Sequence, residues 1–209
     1  MLPERVRTAA SPPPAAPCAD AKSALDRLIP TPRRVEIDRL DLAAPPAAVW
    51  ERVRHGDLAP SRLIRALFAI RTWGKGEAAL RVDELTSSPG RPGFQLLVED
   101  PPRELAVGAI GRVWEAQIPF VHVPTAAEFA AFDEPGYAQV AWSIRILPRG
   151  AGSHLELEVR VDATDEASWR RFRRYFVLIG IGSRFIRRRL LRAIAREIGE
   201  RRIEESAPA

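Results

Sequence analysis

The chain has 209 residues, enough for one domain of ordinary size with a substantial core and short for two. It carries 32 Lys and Arg against 27 Asp and Glu, a formal net charge of +5, and one cysteine, Cys18, which excludes an internal disulfide and a cysteine zinc site. Its longest apolar run, residues 175–181, falls far short of the ~20 residues of a membrane-spanning helix.

No apolar stretch of the secretory type precedes Cys18, so a cytoplasmic location is the expectation. The cations are nearly all arginine, lysine occurring only at Lys22 and Lys75, in a chain rich in alanine and proline. That bias reflects a GC-rich coding sequence more than a nucleic-acid partner, and nucleic acid is not expected as a ligand.

Residues 1–22 contain a Ser-Pro-Pro-Pro-Ala-Ala-Pro run and little to bury, and read as a disordered lead-in to one domain over 23–205. Leu25, Leu28 and Ile29 suit one inward-facing helical turn closed by Pro30. A strand follows over 34–42, its apolar Val35, Ile37, Leu40 and Leu42 requiring a slip in register near Asp38 if all are to face inward. Prolines at 45 and 46 open a short helix to about Arg54. An amphipathic helix is expected at 60–70, then a loop-rich stretch to Gly93.

Strands at 94–98 and 103–114 form a hairpin around Pro101 and Pro102. A short strand at 118–123 and a short helix at 125–132 precede the turn at 133–136. The clearest alternation comes last: strands at 137–147 and 154–161, the second with Leu155, Leu157, Val159 and Val161 on one face and Glu156, Glu158 and Arg160 on a wet one. From Thr164 to about Ile203 the pattern is helical, with Asp162 or Thr164 as cap and Asp165 and Glu166 complementing the dipole. An apolar sheet face must be covered, and only this last helix is long enough to cover it.

Three features together resemble the START-related, or SRPBCC, superfamily of polyketide cyclase/dehydrase-like and lipid-transfer proteins. They are the strand 35–42 running into 44–50 (Ala-Pro-Pro-Ala-Ala-Val-Trp), the 98–105 hairpin (Val-Glu-Asp-Pro-Pro-Arg-Glu-Leu), and the strand 155–161 leading through Ala163, Thr164 and Asp165 into the long helix. The resemblance implies an α+β helix-grip fold, a curved antiparallel sheet wrapped around the C-terminal helix. It also implies a cavity between them for a lipid, sterol, polyketide or hormone. No catalytic motif of the superfamily is matched residue by residue, and no cofactor is implied.

No histidine stands at metal-ligand spacing from another or from cysteine, so no metal site is expected. His122 lies in an apolar stretch and is the candidate acid or base, with Arg112 and Tyr137 as its partners in an enzymatic reading. Ile110, Arg112 and Trp114 share a face if the strand runs through them; inward, Arg112 needs an anion, either Glu115 or a ligand acid. Trp114, Phe120, His122, Tyr137, Trp142 and Ile144 are the candidate pocket residues on the strands, joined by Phe176 and Ile179 from the helix.

In the terminal helix Phe172, Phe176, Ile179, Ile186, Leu190, Ile194 and Ile198 form one apolar stripe. Unbroken, the helix is ~58 Å long against a domain ~35 Å across, so a break is expected at Gly180 and Gly182, with a pocket entrance there. Arg184, Arg188, Arg192 and Arg196 make a ridge flanked by Arg187 and Arg189 that calls for acidic partners, whether Glu200, carboxylates on the sheet, or an anionic membrane surface. The expected function is non-catalytic carriage or sensing of a small hydrophobic molecule. A cyclase or hydrolase using His122, and a membrane-surface or nucleic-acid adaptor using the ridge, are the alternatives. Oligomeric state is not readable.

Overall fold

The computed structural model describes residues 22–56, 82, 85 and 87–205, apart from the side chains at 178, 181, 183, 186, 197 and 200–205. The expected lead-in 1–22, save its last residue, the helix expected at 60–70, and the side chains of Ile186 and Glu200 lie outside these described residues.

Elements follow in the order α1 (Ala24–Leu28), β1 (Arg34–Leu42), α2 (Pro46–His55), β2 (Gln95–Asp100), β3 (Glu104–Gly111), β4 (Phe120–Val121), α3 (Ala126–Ala131), β5 (Ala138–Arg149), β6 (Gly152–Ala163) and α4 (Glu166–Glu205). The strands make one antiparallel six-stranded sheet in the order β1-β6-β5-β3-β2, with β4 on β3. The fold is α+β, and α4 lies over one face of that sheet, as a helix-grip arrangement requires. No helix of the described residues is long and apolar enough to cross a membrane.

Local chemistry explains each corner. Ser23 caps α1 in a capping box, its hydroxyl accepting from Leu25 N–H at 3.2 Å while Asp26 accepts from Ser23 N–H at 2.8 Å. Pro46 opens α2 without losing a helical hydrogen bond. The β5–β6 turn is tighter than the sequence suggested: Arg149 pairs with Gly152, leaving two residues between, and Gly150 takes φ +59°.

Helices cover both sheet faces. On the inner face Val49, Trp50 and Val53 of α2 and Leu190, Leu191 and Ile194 of α4 pack on Leu105, Ile144, Leu155 and Leu157. On the outer face α1 and Phe129 of α3 pack on Ala106, Ile110 and Ala141. The polar face of β6 is therefore not wet, contrary to the alternation argument. Glu156 and Glu158 are buried and joined to arginines, Glu156 to Arg39 at 2.7 Å and Glu158 to Arg160 at 2.6 Å, while Arg160 also reaches Asp26 of α1 at 2.7 Å. Cross-strand pairing and the covering helix satisfy charges that alternation assigned to solvent.

Two further expectations are corrected. The register of β1 on β6 runs without a slip from Arg34↔Val161 to Leu42↔Ser153. Period two then points Glu36 and Asp38 inward with Leu40 and Leu42, and leaves Val35 and Ile37 exposed at 46% and 41%. Nor does α4 break: it is one helix of 40 residues. It is anchored twice on the inner face, by Phe172 near its start and by Leu190, Leu191 and Ile194 later, so the width of the domain does not limit it.

The two glycines expected to break α4 differ. A Cβ at Gly180 lands 2.6 Å from the Phe176 ring, whereas one at Gly182 meets nothing within 4 Å. Gly182→Ala is expected to stabilise the protein by about 0.5–1 kcal/mol through helix propensity alone. Gly180→Ala displaces the Phe176 ring and gives no such gain. Urea unfolding of the two variants checks the contrast, which equal midpoints contradict.

Candidate functional site

A groove of about 440 Å³ runs between the start of β1 and the first turns of α4. Its apolar side is built by helical spacing: Trp169, Phe172 and Phe176 fall three to four residues apart and share a face. Phe172 is 3% exposed and anchors the group, stacked on Trp169 with centroids 5.5 Å apart and tilted against Phe176 at the same separation. Val177, 75% exposed, stands at the mouth, and Gly180 lines the groove without a side chain.

Four arginines and one carboxylate, Glu36, complete the lining. Arg33 is held by Asp162 at 3.3 Å and Glu166 at 2.7 Å, with its guanidinium 5.7 Å from the Trp169 ring centre. Arg34 donates to Glu36 from Nε at 3.1 Å and lies 3.8 Å over the Phe176 ring. These two brace the aromatic side. Arg173 and Arg184 are exposed and have no carboxylate partner among the described residues.

Deeper under α4, Arg187 is buried and paired with both inward acids of β1, Glu36 and Asp38, the latter at 2.7 Å from its Nε. Arg188 approaches Asp38 at 3.7 Å and is half exposed, while Arg192 and Arg196 are exposed. The acidic partners expected for the ridge are thus on the sheet, and the arginine that takes them is Arg187, on the ridge's flank. Its position was readable: 187 lies three and seven residues before Leu190 and Ile194, on the buried stripe.

Of the expected pocket residues, Phe176 lines the groove, as does Arg184 from the expected ridge. The others are dispersed. Ile144 is fully buried in the inner core, with Trp142 packed at its edge. Trp114 is partly buried beside Val113 and Phe172, and Ile179 is half-buried on α4. Phe120 meets Phe94 edge-on at 5.9 Å. Tyr137 packs edge-on against Phe132 in the outer layer, 5.6 Å between centroids.

The enzymatic trio is only partly gathered. Arg112 lies 5.0 Å from the Tyr137 ring centre, half exposed and 3.9 Å from Glu115. His122 instead shares a 2.9 Å hydrogen bond with Ser87 Oγ. Because β3 ends at Gly111, Arg112 and Trp114 do not continue the face of Ile110: Ile110 belongs to the outer core, Trp114 to the inner one. Arg112 is not the buried cation that a through-running strand implied.

No protein-family model matches the chain, and no curated protein matches it. Among solved structures it is similar to CalU16 from Micromonospora echinospora, at 20% identity over 80% of this chain and 84% of that one, with a TM-score of 0.33. Protein MLL2253 from Mesorhizobium loti is similar at 15% identity over 78% of this chain and 98% of its own, with a TM-score of 0.39. DynU16, a protein in the dynemicin biosynthetic locus, is similar at 14% identity over 71% of this chain and 47% of its own, with a TM-score of 0.29. At these scores none of them assigns a family, and the reading of function rests on the groove itself.

Proposed function

We propose that the protein binds a small hydrophobic molecule, lipid- or polyketide-like, without transforming it, and that the groove between β1 and α4 receives it. The observation that carries this reading is a partly exposed aromatic wall: Trp169 and Phe176 line a groove of about 440 Å³, a size in the usual range for small-molecule sites, roughly 300–1,000 Å³. The resemblance to SRPBCC proteins points the same way. Titration with the uncharged dye N-phenyl-1-naphthylamine is expected to show saturable uptake at one site. Val177→Glu sets a carboxylate at the mouth without touching the core, and is expected to weaken uptake about tenfold, since displacing apolar contact by a charge costs of order 1–2 kcal/mol. Uptake indifferent to Val177→Glu counts against the groove.

A second reading has its own observation. Val177 and Phe185 are exposed at 75% and 41% on α4, amid the exposed Arg173, Arg174, Arg184, Arg188 and Arg189. Apolar side chains set among cations fit an anionic membrane surface. Co-sedimentation with phosphatidylserine vesicles that survives replacement of Arg184, Arg188 and Arg192 by glutamine removes it.

A further inference from the structure

Building on the reading that the groove takes a small hydrophobic molecule, we infer that it selects free amphiphiles in which a planar apolar body carries an anionic group, a carboxylate, sulfonate or phosphate, with Arg173 and Arg184 answering the anion. Two of the four groove arginines are already used. Arg33 is satisfied by Asp162 and Glu166, and Arg34 by Glu36, whose other oxygen goes to Arg187. The single carboxylate of the lining is therefore shared between two cations before any ligand arrives.

Arg173 and Arg184 remain, with no carboxylate partner among the described residues, and both line the groove. Eleven residues apart on one helix, they stand ~16 Å from each other along its axis at 1.5 Å per residue. The groove thus has a cation toward each end, with the Phe176 ring and the bare backbone of Gly180 between them. An apolar body lying along this stretch brings a terminal anion to a guanidinium at either end, and a guanidinium binds carboxylate, sulfonate and phosphate by the same forked donation. A neutral molecule of the same shape gains the ring contacts alone. The excess of cations over the one shared carboxylate also draws anions toward the groove before contact.

The test uses two dyes with one ring system. The 8-sulfonate of N-phenyl-1-naphthylamine is expected to bind the full-length protein about five- to tenfold more tightly than the uncharged parent at low salt, the range of one or two exposed ion pairs. Arg173→Gln with Arg184→Gln is expected to abolish that preference. Arg192→Gln with Arg196→Gln, which removes the same charge from α4 outside the groove, is expected to keep it. Protein and dye are the only solutes, so a membrane-borne headgroup plays no part. Equal affinities for the two dyes, or a preference lost to the same degree in both double variants, overturns anion selection and leaves the binding reading standing. Absence of binding by either dye overturns both.

Discussion

Replacing Arg187 with methionine is expected to cost about 3–5 kcal/mol of unfolding free energy, the range for removing one partner of a buried ion pair. The Arg187 side chain is 9% exposed and those of Glu36 and Asp38 are 17% and 13% exposed, so none of the three is well solvated. Without the guanidinium, two carboxylates two residues apart face the underside of α4, with Arg34 left on Glu36 and the looser Arg188 near Asp38. Their desolvation is then largely uncompensated, and their mutual repulsion adds to it. Arg188→Met removes only a half-exposed contact at 3.7 Å and is expected to cost under about 1 kcal/mol. The combined change Glu36→Leu, Asp38→Leu and Arg187→Met continues the apolar row of Leu40 and Leu42 and is expected to recover most of the loss, because an apolar replacement of a buried ion cluster carries no desolvation debt. Urea midpoints at constant slope are the measurement. Equal costs for Arg187→Met and Arg188→Met would show that the cluster is not buried in solution.

This cluster also shows where sequence reading succeeded and where it stopped. Among the described residues the order of elements, the antiparallel sheet and the helix laid over it were legible, because each rests on a local period: two in the strand Leu155 to Val161, three to four in the helix from Phe172 onward. In β1 hydrophobicity and period disagree. The apolar Val35 and Ile37 turn inward only with a register slip, whereas strict alternation with Leu40 and Leu42 selects Glu36 and Asp38, as the structure does. Two acids on an inner face look wrong until the partner is known. The partner lies about 150 residues away, Arg187 to Asp38 being separated by 149 positions, and no local pattern joins them.

The candidate site was legible only in part for the same reason. Phe176 and Arg184 were marked from the helix, and Gly180 as the place for an entrance, and all three line the groove. Arg33 and Arg34 were not, because nothing in a strand's own sequence tells which helical turn will cross it. The aromatic strand residues follow from the expectation of a cavity between sheet and helix. There the inner face is packed with Leu105, Ile144 and Leu157 or occupied by the Arg187 cluster. The groove lies instead at the sheet edge, where β1 has no strand beyond it among the described residues.

Asp165 governs the acid limb of stability. The sequence offered Asp162 or Thr164 as the cap of α4, but Asp162 is drawn to Arg33 and Thr164 bonds to the backbone of Tyr137. Asp165 takes the position, accepting from Ser168 Oγ at 2.7 Å, Ser168 N–H at 2.8 Å and Gly136 N–H at 2.6 Å. It thereby ties the start of the helix to the turn before β5. These donors, the Ser168 hydroxyl first and then the backbone N–H groups, hold its carboxyl down to about 2 from an ordinary 3.8. A folded-state value below the unfolded one means that the unfolded chain binds the proton more readily. The contribution of Asp165 is therefore whole above about pH 4 and is lost as the pH falls through 2. Asp165→Ala is expected to cost about 1–2 kcal/mol near neutrality, at the upper part of the range for a lost N-cap because three donors lose their acceptor together. Asp165→Asn keeps a good capping side chain and no titration. Its deficit against the parent protein is expected to be constant from pH 7 to 4 and to shrink between pH 4 and 2. Thermal midpoints of the two proteins over that interval decide it: a deficit that stays constant down to pH 2 means that the carboxylate's charge contributes nothing to the cap.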